Sequence, residues 1–268
     1  ADQRIRFLVM HYTAEDFHSS LKTLTDEHVS AHYLLPAHPQ REHGKPTVYR
    51  LVPEAMRAWH AGASAWRGRS NLNDTSIGIE IVNKGFTRSM LFTHWQPYTA
   101  EQIAVLIPLS RDIIQRYGIQ PQDVVGHSDI APQRKQDPGP LFPWRQLAQA
   151  GIGAWPDERD VQRLLAGRDR HAPVPMAPLL EKLARYGYAI DPSWDARQQR
   201  NVLAREAGMS TGDRLYRAAV VGGAQALGVS AGLRVGASAD FVTLDLNHPS
   251  LSHRPVERVL DGLIFGAG

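Results

Sequence analysis

The sequence predicts an α/β fold in which a β-sheet is flanked by helices. Two apolar runs, at 5–10 and 77–83, are typical of buried strands. Apolar side chains recur at helical spacing over 98–117, which predicts a long helix packed on the sheet. Strands that alternate with helices indicate a layered domain, and we expect this one to end near Trp155.

The composition is that of a globular protein with a sizeable core. The 268 residues are 43% hydrophobic and 21% charged. The net charge is only +3 and there is no concentrated basic block, so nucleic acid is not an expected partner, although an anionic polymer would be compatible. No apolar run approaches the roughly 20 residues of a membrane span. The oligomeric state stays open.

The chain contains twelve His and no Cys. Disulfides and thiolate zinc sites are therefore excluded, and any metal must be held by His and carboxylate groups. The high His count favours metal or proton-transfer chemistry. The absence of Cys also fits an oxidising compartment such as a bacterial periplasm, although many cytosolic proteins lack Cys as well.

The first predicted strand, 5–10, leads directly into His11. A His at the C-terminal end of a central strand is well placed to project into a site, although a core His bonded to the backbone is the alternative. A helix is expected over 15–25, with Thr13 as its N-cap.

Two more strands are expected at 29–36 and 47–52. Residues 58–66 then mix aromatic and small side chains without a helical or strand period. Such a loop either packs as a structural plug or lines a sugar or peptide cleft, and the sequence leaves both open.

The strand at 77–83 carries Glu80 among β-branched residues. A carboxylate there is costly unless it is paired, protonated or near a metal. Ile79 and Ile81 would share the opposite face, while Gly78 shares the face of Glu80, which suggests space kept open for another group. An exposed strand face is the alternative, and we favour the functional interpretation.

The helix at 98–117 has Thr99 as its expected N-cap and ends at Gly118. A short strand at 123–125 follows, and then a loop punctuated by Pro and Gly over 126–139. The loop carries His127, Lys135 and two Asp within eleven residues.

Hydrolytic zinc sites take three protein ligands and leave one position for water. His11, His127 and Asp137 would supply them. Glu80 is the candidate to take and return a proton, and Lys135 the cation facing a developing oxyanion. No HExxH motif is present.

Five segments resemble zinc N-acetylmuramoyl-L-alanine amidases of the amidase_2 family, in the AmiD/AmpD branch, which is related to peptidoglycan recognition proteins. They run in the family's order within 5–155: 11–13, 29–33, 58–62, 76–80 and 126–139. The resemblance implies a mixed sheet flanked by helices, hydrolysis of the amide joining N-acetylmuramic acid to L-alanine, and a role in cell-wall turnover in the periplasm or cell envelope.

Peptidoglycan and muropeptides are the partners that this resemblance implies. His11, His127 and Asp137 match the family's Zn²⁺ ligands, Glu80 its acid/base, and Lys135 the residue that stabilises the tetrahedral intermediate. Four further residues fall in segments that border the family's substrate cleft: His32, Trp59, His60 and Asn73.

The predicted organisation is a catalytic domain at 1–155, a polar linker at 156–177 and a smaller, partly helical C-terminal region at 178–268. Residues 178–201 resemble the start of a peptidoglycan-binding domain. Residues 201–265 instead resemble the C-terminal end of a formimidoylglutamate deiminase-like amidohydrolase, without that family's metal ligands, so we assign no catalysis to them.

Two rival functions remain at this stage. A non-catalytic peptidoglycan-recognition module would use the same scaffold, but such modules typically lack part of the zinc set. An amidohydrolase acting on a small nitrogen compound is supported only by the C-terminal tail.

Overall fold

A computed structural model describes residues 4–88, 93–166, 175–196, 198–199 and 202. The described residues within 1–85 and 96–205 form one compact unit, and those within 86–95 belong to a second. The elements are, in chain order, β1 (Phe7–Tyr12), α1 (Phe17–Leu24), β2 (Tyr33–Leu35), β3 (Arg41–Glu42), β4 (Lys45–Pro46), β5 (Tyr49–Arg50), β6 (Ala65–Trp66), β7 (Arg69–Ser70), β8 (Ser76–Ile81), β9 (Phe86–Arg88), β10 (Thr93–Trp95), α2 (Ala100–Tyr117), β11 (Val124–Gly126), α3 (His127–Ile130), α4 (Trp144–Gln149), α5 (Glu158–Leu165) and α6 (Met176–Tyr186).

The central sheet has five strands in the order β11-β1-β8-β2-β5. The first four run parallel to one another and β5 runs antiparallel to β2, so the predicted mixed sheet is confirmed. In the register of β1 against its neighbours, His11 pairs with Glu80 and Met10 pairs with Gly126. The C-terminal ends of three parallel strands therefore meet at one edge of the sheet.

The two faces of the sheet bury different cores. Ile77, Ile79 and Ile81 pack with apolar residues of α2, as the alternation along β8 predicts. The other face carries Val9 in a second cluster that includes the fully buried Trp66. The side chain of Glu80 points to this second face, together with Gly78.

The long helix confirms its predicted ends. The Thr99 side chain accepts a hydrogen bond from the Gln102 N–H, and the Gln102 side chain accepts one from the Thr99 N–H, which makes a capping box. The helix ends at Gly118, whose φ of 60° is a left-handed conformation that glycine adopts without strain.

The predicted N-cap of the first helix was wrong. Asp16 caps α1 by accepting a hydrogen bond from the Ser19 N–H at 3.0 Å. Thr13 instead donates its hydroxyl to the Glu15 carbonyl. The left-handed turn at Ala14 (φ 61°) separates Thr13 from the helix. The strands expected at 29–36 and 47–52 are also shorter, β2 and β5 covering three and two residues.

Helix α6 lies at the start of the region that was expected to be partly helical, and α5 lies inside the stretch predicted as a linker. Residues 203–268, most of the predicted C-terminal region, fall outside the described residues. The division into 1–155, 156–177 and 178–268, and the resemblance of the tail to an amidohydrolase, therefore stay predictions. Among the described residues, no helix is both long and apolar enough to cross a membrane.

Candidate active site

The candidate site lies at the edge of the sheet where β1, β8 and β11 end. His11 is near the end of β1, Glu80 is near the end of β8, and His127 directly follows β11 as the first residue of α3. Asp137 returns from the loop after α3, and its carbonyl accepts a hydrogen bond from the Ser128 N–H at 2.9 Å. Three neighbouring strands and one folded-back loop thus supply the site.

The structure brings the three predicted metal ligands together. The Nδ1 atoms of His11 and His127 are 3.0 Å apart, and Asp137 Oδ2 lies 3.0 Å from the first and 3.1 Å from the second. All three side chains are buried. Three donor atoms that converge in this way, two imidazole nitrogens and one carboxylate oxygen, make a donor set that suits a zinc ion.

A chain of hydrogen bonds fixes the tautomer of His11. Ser76 donates its hydroxyl to the Leu72 carbonyl at 2.6 Å, so its oxygen accepts from His60 Nε2 at 3.1 Å. His60 Nδ1 is then the acceptor for His11 Nε2–H at 2.9 Å. The Nδ1 lone pair of His11 is thereby left facing the other two ligands.

His127 is oriented by the loop that precedes β6. Its Nε2 lies 3.0 Å from the Ala61 carbonyl, which can only accept, so Nε2 carries the proton and Nδ1 offers its lone pair. Arg134 also donates to the Ala61 carbonyl and to the Ala63 carbonyl, at 2.8 Å each. The His127 imidazole is therefore oriented by a backbone carbonyl, whereas the His11 imidazole is oriented by side chains.

The protonation states favour metal binding. Burial and, after it, the neighbouring His127 lower the pKa of His11 to about 4. Burial alone would raise the pKa of Asp137, but its close contacts with the His11 and His127 imidazoles outweigh burial and hold that pKa well below its usual range. A neutral imidazole and an ionised carboxylate are the forms in which these groups bind metals.

Glu80 lies beside the cluster without joining it. Its Oε1 is 3.9 Å from His11 Nδ1, and its Oε2 is buried with no hydrogen-bond partner among the described residues. Burial raises the pKa of Glu80 well above its ordinary value, and Asp137 adds to the rise. The positive charge of Lys135 acts in the opposite direction on Glu80, so the ammonium group lies within electrostatic reach of the carboxyl.

The space that Gly78 was predicted to leave open is occupied by His60. A Cβ at position 78 would lie 2.5 Å from the His60 ring, closer than any side-chain carbon can approach. Glycine at this position therefore lets His60 reach His11 across the face of the sheet.

The four residues expected near the substrate occupy different environments. His32 is fully buried and uses both ring nitrogens, one with the Gly78 N–H and one with the Met56 carbonyl. Asn73 is also buried, and its Oδ1 accepts from two backbone N–H groups of the 58–66 loop. Trp59 is 53% exposed, with the Arg57 guanidinium 4.2 Å from its ring centre. His60, as described above, bonds within the protein.

Sequence reasoning missed several supporting residues. Ser76 ends the hydrogen-bond chain from His11, and Arg134 holds the carbonyl that orients His127. Tyr98 donates its hydroxyl to the Pro138 carbonyl at 2.7 Å, next to Asp137. Burial and then the charge of Asp137 raise the pKa of Tyr98 well above its ordinary value. These residues are identified only by the structure. Each contacts a residue that is distant in the chain, and no sequence pattern links the two.

With this geometry established, the chain can be compared with known proteins. The Amidase_2 family profile, described as N-acetylmuramoyl-L-alanine amidase, matches residues 1–140. The N-acetylmuramoyl-L-alanine amidase AmiD of Escherichia coli (strain K12) is 60% identical over 200 residues, which cover 75% of this chain and 72% of AmiD. The chain belongs to the N-acetylmuramoyl-L-alanine amidase family. The predicted family and enzyme class are therefore confirmed.

Solved structures of relatives share the fold of this amidase. A complex of E. coli AmiD with the substrate anhydro-N-acetylmuramic acid-L-Ala-D-gamma-Glu-L-Lys superposes with a TM-score of 0.75, covering 76% of this chain and 80% of AmiD. AmpDh3 from Pseudomonas aeruginosa, in complex with anhydromuramic pentapeptide, is 45% identical with a TM-score of 0.69, covering 76% of this chain and 82% of AmpDh3. The amidase spans about half the length of the Enterobacter cloacae AmpD, to which it is 44% identical over 100 residues, 37% of this chain.

Proposed function

We propose that the amidase uses a zinc ion to hydrolyse the amide bond between N-acetylmuramic acid and L-alanine in peptidoglycan or in muropeptides released from it. The observation that carries this proposal is the convergence of His11 Nδ1, His127 Nδ1 and Asp137 Oδ2 within 3.1 Å of one another. The AmiD and AmpDh3 structures are complexes with anhydromuramyl peptides, which supports muropeptides as the substrate class.

The proposed holder of the metal is the same set of three side chains. When bound, zinc would polarise the scissile carbonyl and make a water molecule more acidic. The protein's side chains would orient the metal ligands, transfer a proton and stabilise negative charge on the carbonyl oxygen.

Glu80 is the proposed proton carrier. Its raised pKa and its unpartnered Oε2 fit a carboxyl group that accepts a proton from the attacking water and returns it to the leaving amine. Because Lys135 acts electrostatically on both Glu80 and His11, its ammonium is the proposed partner of the developing oxyanion.

The exposed indole of Trp59 is the remaining candidate among the four residues predicted near the substrate. An exposed aromatic face backed by Arg57 suits contact with a sugar ring or a peptide. His32, His60 and Asn73 are better explained as support for the site, because their polar atoms are bonded within the protein.

We infer a bacterial periplasm or cell envelope, where peptidoglycan is found, and the absence of Cys is compatible with an oxidising compartment.

The test is product analysis by mass spectrometry. Soluble anhydromuramyl peptides and intact sacculi are incubated with the purified full chain, with and without a chelator, and then with added zinc. We expect free stem peptide that begins with L-alanine, loss of activity with chelator, and recovery with zinc. Stoichiometric zinc without cleavage of this amide would favour the non-catalytic recognition module.

A further inference from the structure

The loop that carries two of the proposed metal ligands is attached to the C-terminal part of the chain. Tyr188 donates its hydroxyl to Asp129 Oδ1 at 2.5 Å, while Asp129 Oδ2 accepts from the Gly126 N–H at 2.6 Å. Gly126 immediately precedes His127. A residue 59 positions beyond Asp129 therefore holds the carboxylate that fixes the start of α3.

Tyr188 is itself held firmly against the sheet. It forms a β-bridge with Trp66, and the two rings meet edge to face with centroids 4.8 Å apart. The Arg67 N–H donates to the Gly187 carbonyl at 2.8 Å. Gly187 has a φ of 149°, and a Cβ there would lie 2.7 Å from the Arg67 side chain, so the tight approach requires glycine.

Trp66 extends this attachment to the other end of β11. Its indole N–H donates to the Gln122 carbonyl at 3.1 Å, two residues before β11 begins. The Trp66–Tyr188 pair thus contacts the chain both before β11, through Gln122, and after it, through Asp129. Further along the loop, the Gln133 side chain donates to the Gln198 carbonyl at 2.8 Å.

We propose that Tyr188 is a positioning residue for the metal-binding loop, acting through Asp129 on Gly126 and His127. The inference rests on the proposed role of His127 as a metal ligand. Groups that hydrogen-bond directly to a metal ligand typically change metal affinity by about 10- to 100-fold. Tyr188 acts through Asp129 and Gly126, so its expected effect is at the lower end of this range. Residues that resemble the start of a separate peptidoglycan-binding domain would then also serve the catalytic site.

The test compares Tyr188→Phe with Tyr186→Phe in the full chain. The first variant removes only the hydroxyl that reaches Asp129. The second is a matched control, because Tyr186 also packs against Trp66, with ring centroids 5.9 Å apart, and its ring remains. Zinc dissociation constants are measured by competition with a chromophoric chelator, and melting temperatures of the metal-free proteins are measured alongside.

We expect Tyr188→Phe to bind zinc about tenfold more weakly, and Tyr186→Phe to stay within about twofold of the parent. A lower melting temperature with an unchanged zinc dissociation constant would mean a merely structural role and would overturn the inference. Asp129→Ala provides a second variant, because it removes both the acceptor of the Tyr188 hydroxyl and the acceptor of the Gly126 N–H. It should weaken zinc binding to a similar extent.

Amide hydrogen exchange of the metal-free proteins separates this inference from the proposed function. Exchange over 127–130 should become about fivefold faster in Tyr188→Phe, as expected for the loss of one hydrogen bond, and should not change in Tyr186→Phe. If the parent binds no zinc, the proposed function fails while the exchange data still decide the attachment. Equal exchange rates over 127–130 in Tyr188→Phe and Tyr186→Phe would contradict the proposed positioning role of Tyr188.

Discussion

Four buried histidines face one another in this amidase, and they divide into two pairs. His32 and His60 use both ring nitrogens in hydrogen bonds to other parts of the protein. In His11 and His127, only Nε2 is hydrogen-bonded to such a part of the protein. Their Nδ1 atoms face each other and Asp137. All four are less than 9% exposed, so burial does not separate the pairs. The difference lies in which nitrogens the protein leaves for a ligand.

The most severe way to break the ligand pair is His127→Ala. It removes one of three donors, so we expect the full chain to lose stoichiometric zinc and detectable amidase activity. Zinc content by atomic emission and cleavage of an anhydromuramyl peptide provide the measurements. Full zinc occupancy in the variant would contradict the assignment of His127 as a ligand.

Glu80→Gln separates metal binding from proton transfer. The amide keeps the shape of the side chain but cannot take up the proton, so we expect zinc to be retained while kcat falls by about 10²- to 10⁴-fold. Steady-state kinetics and zinc analysis of the same preparation test this. A loss of zinc equal to that of His127→Ala would make Glu80 a ligand instead.

Removing His60, which supports His11 but is not a proposed ligand, should have a smaller effect than removing a ligand. His60→Ala leaves His11 Nε2 without its acceptor, so we expect zinc affinity to fall by about 10- to 100-fold. His32→Ala is the matched control, because His32 has no hydrogen bond to a proposed ligand. It should lower stability by about 1–3 kcal/mol, with zinc affinity nearly unchanged. Equal losses of affinity would remove the distinction between the two.

The last expected effect concerns how the stability of the metal-free protein depends on pH. The folded-state pKa of Glu80 is raised, so its contribution is most favourable at low pH and is lost as pH rises from about 4.5 through the folded pKa. Glu80→Gln should therefore be more stable than the parent at pH 7, and the gap should close towards pH 4.5. The slope is about 1.4 kcal/mol per pH unit across that window. Denaturant unfolding at several pH values measures the free energy of unfolding of both proteins. A difference between them that does not depend on pH would contradict a raised pKa of Glu80.

Local patterns in the sequence predicted the strands that carry the site and the chemistry of the proposed ligands. Alternation along β8 placed Glu80 and Gly78 on one face because side chains in a strand alternate strictly. The cap of α1 was predicted wrongly, because the left-handed turn at Ala14 separates Thr13 from the helix and leaves Asp16 as its cap. The bonds of His60 could not be predicted, because its partners lie 49 and 16 residues away in the chain.

The parallel register of β1 with β8 and β11 has a consequence for the order of assembly. Residues 11, 80, 127 and 137 become neighbours only when three strands that are far apart in the chain have paired. Such non-local pairing is slow, because the chain loses the entropy of closing a long loop before the stabilising contacts form. No contiguous segment of the nascent chain can present the three donors. Coordination of the proposed metal by all three donors therefore requires that β1 and β11 have already paired.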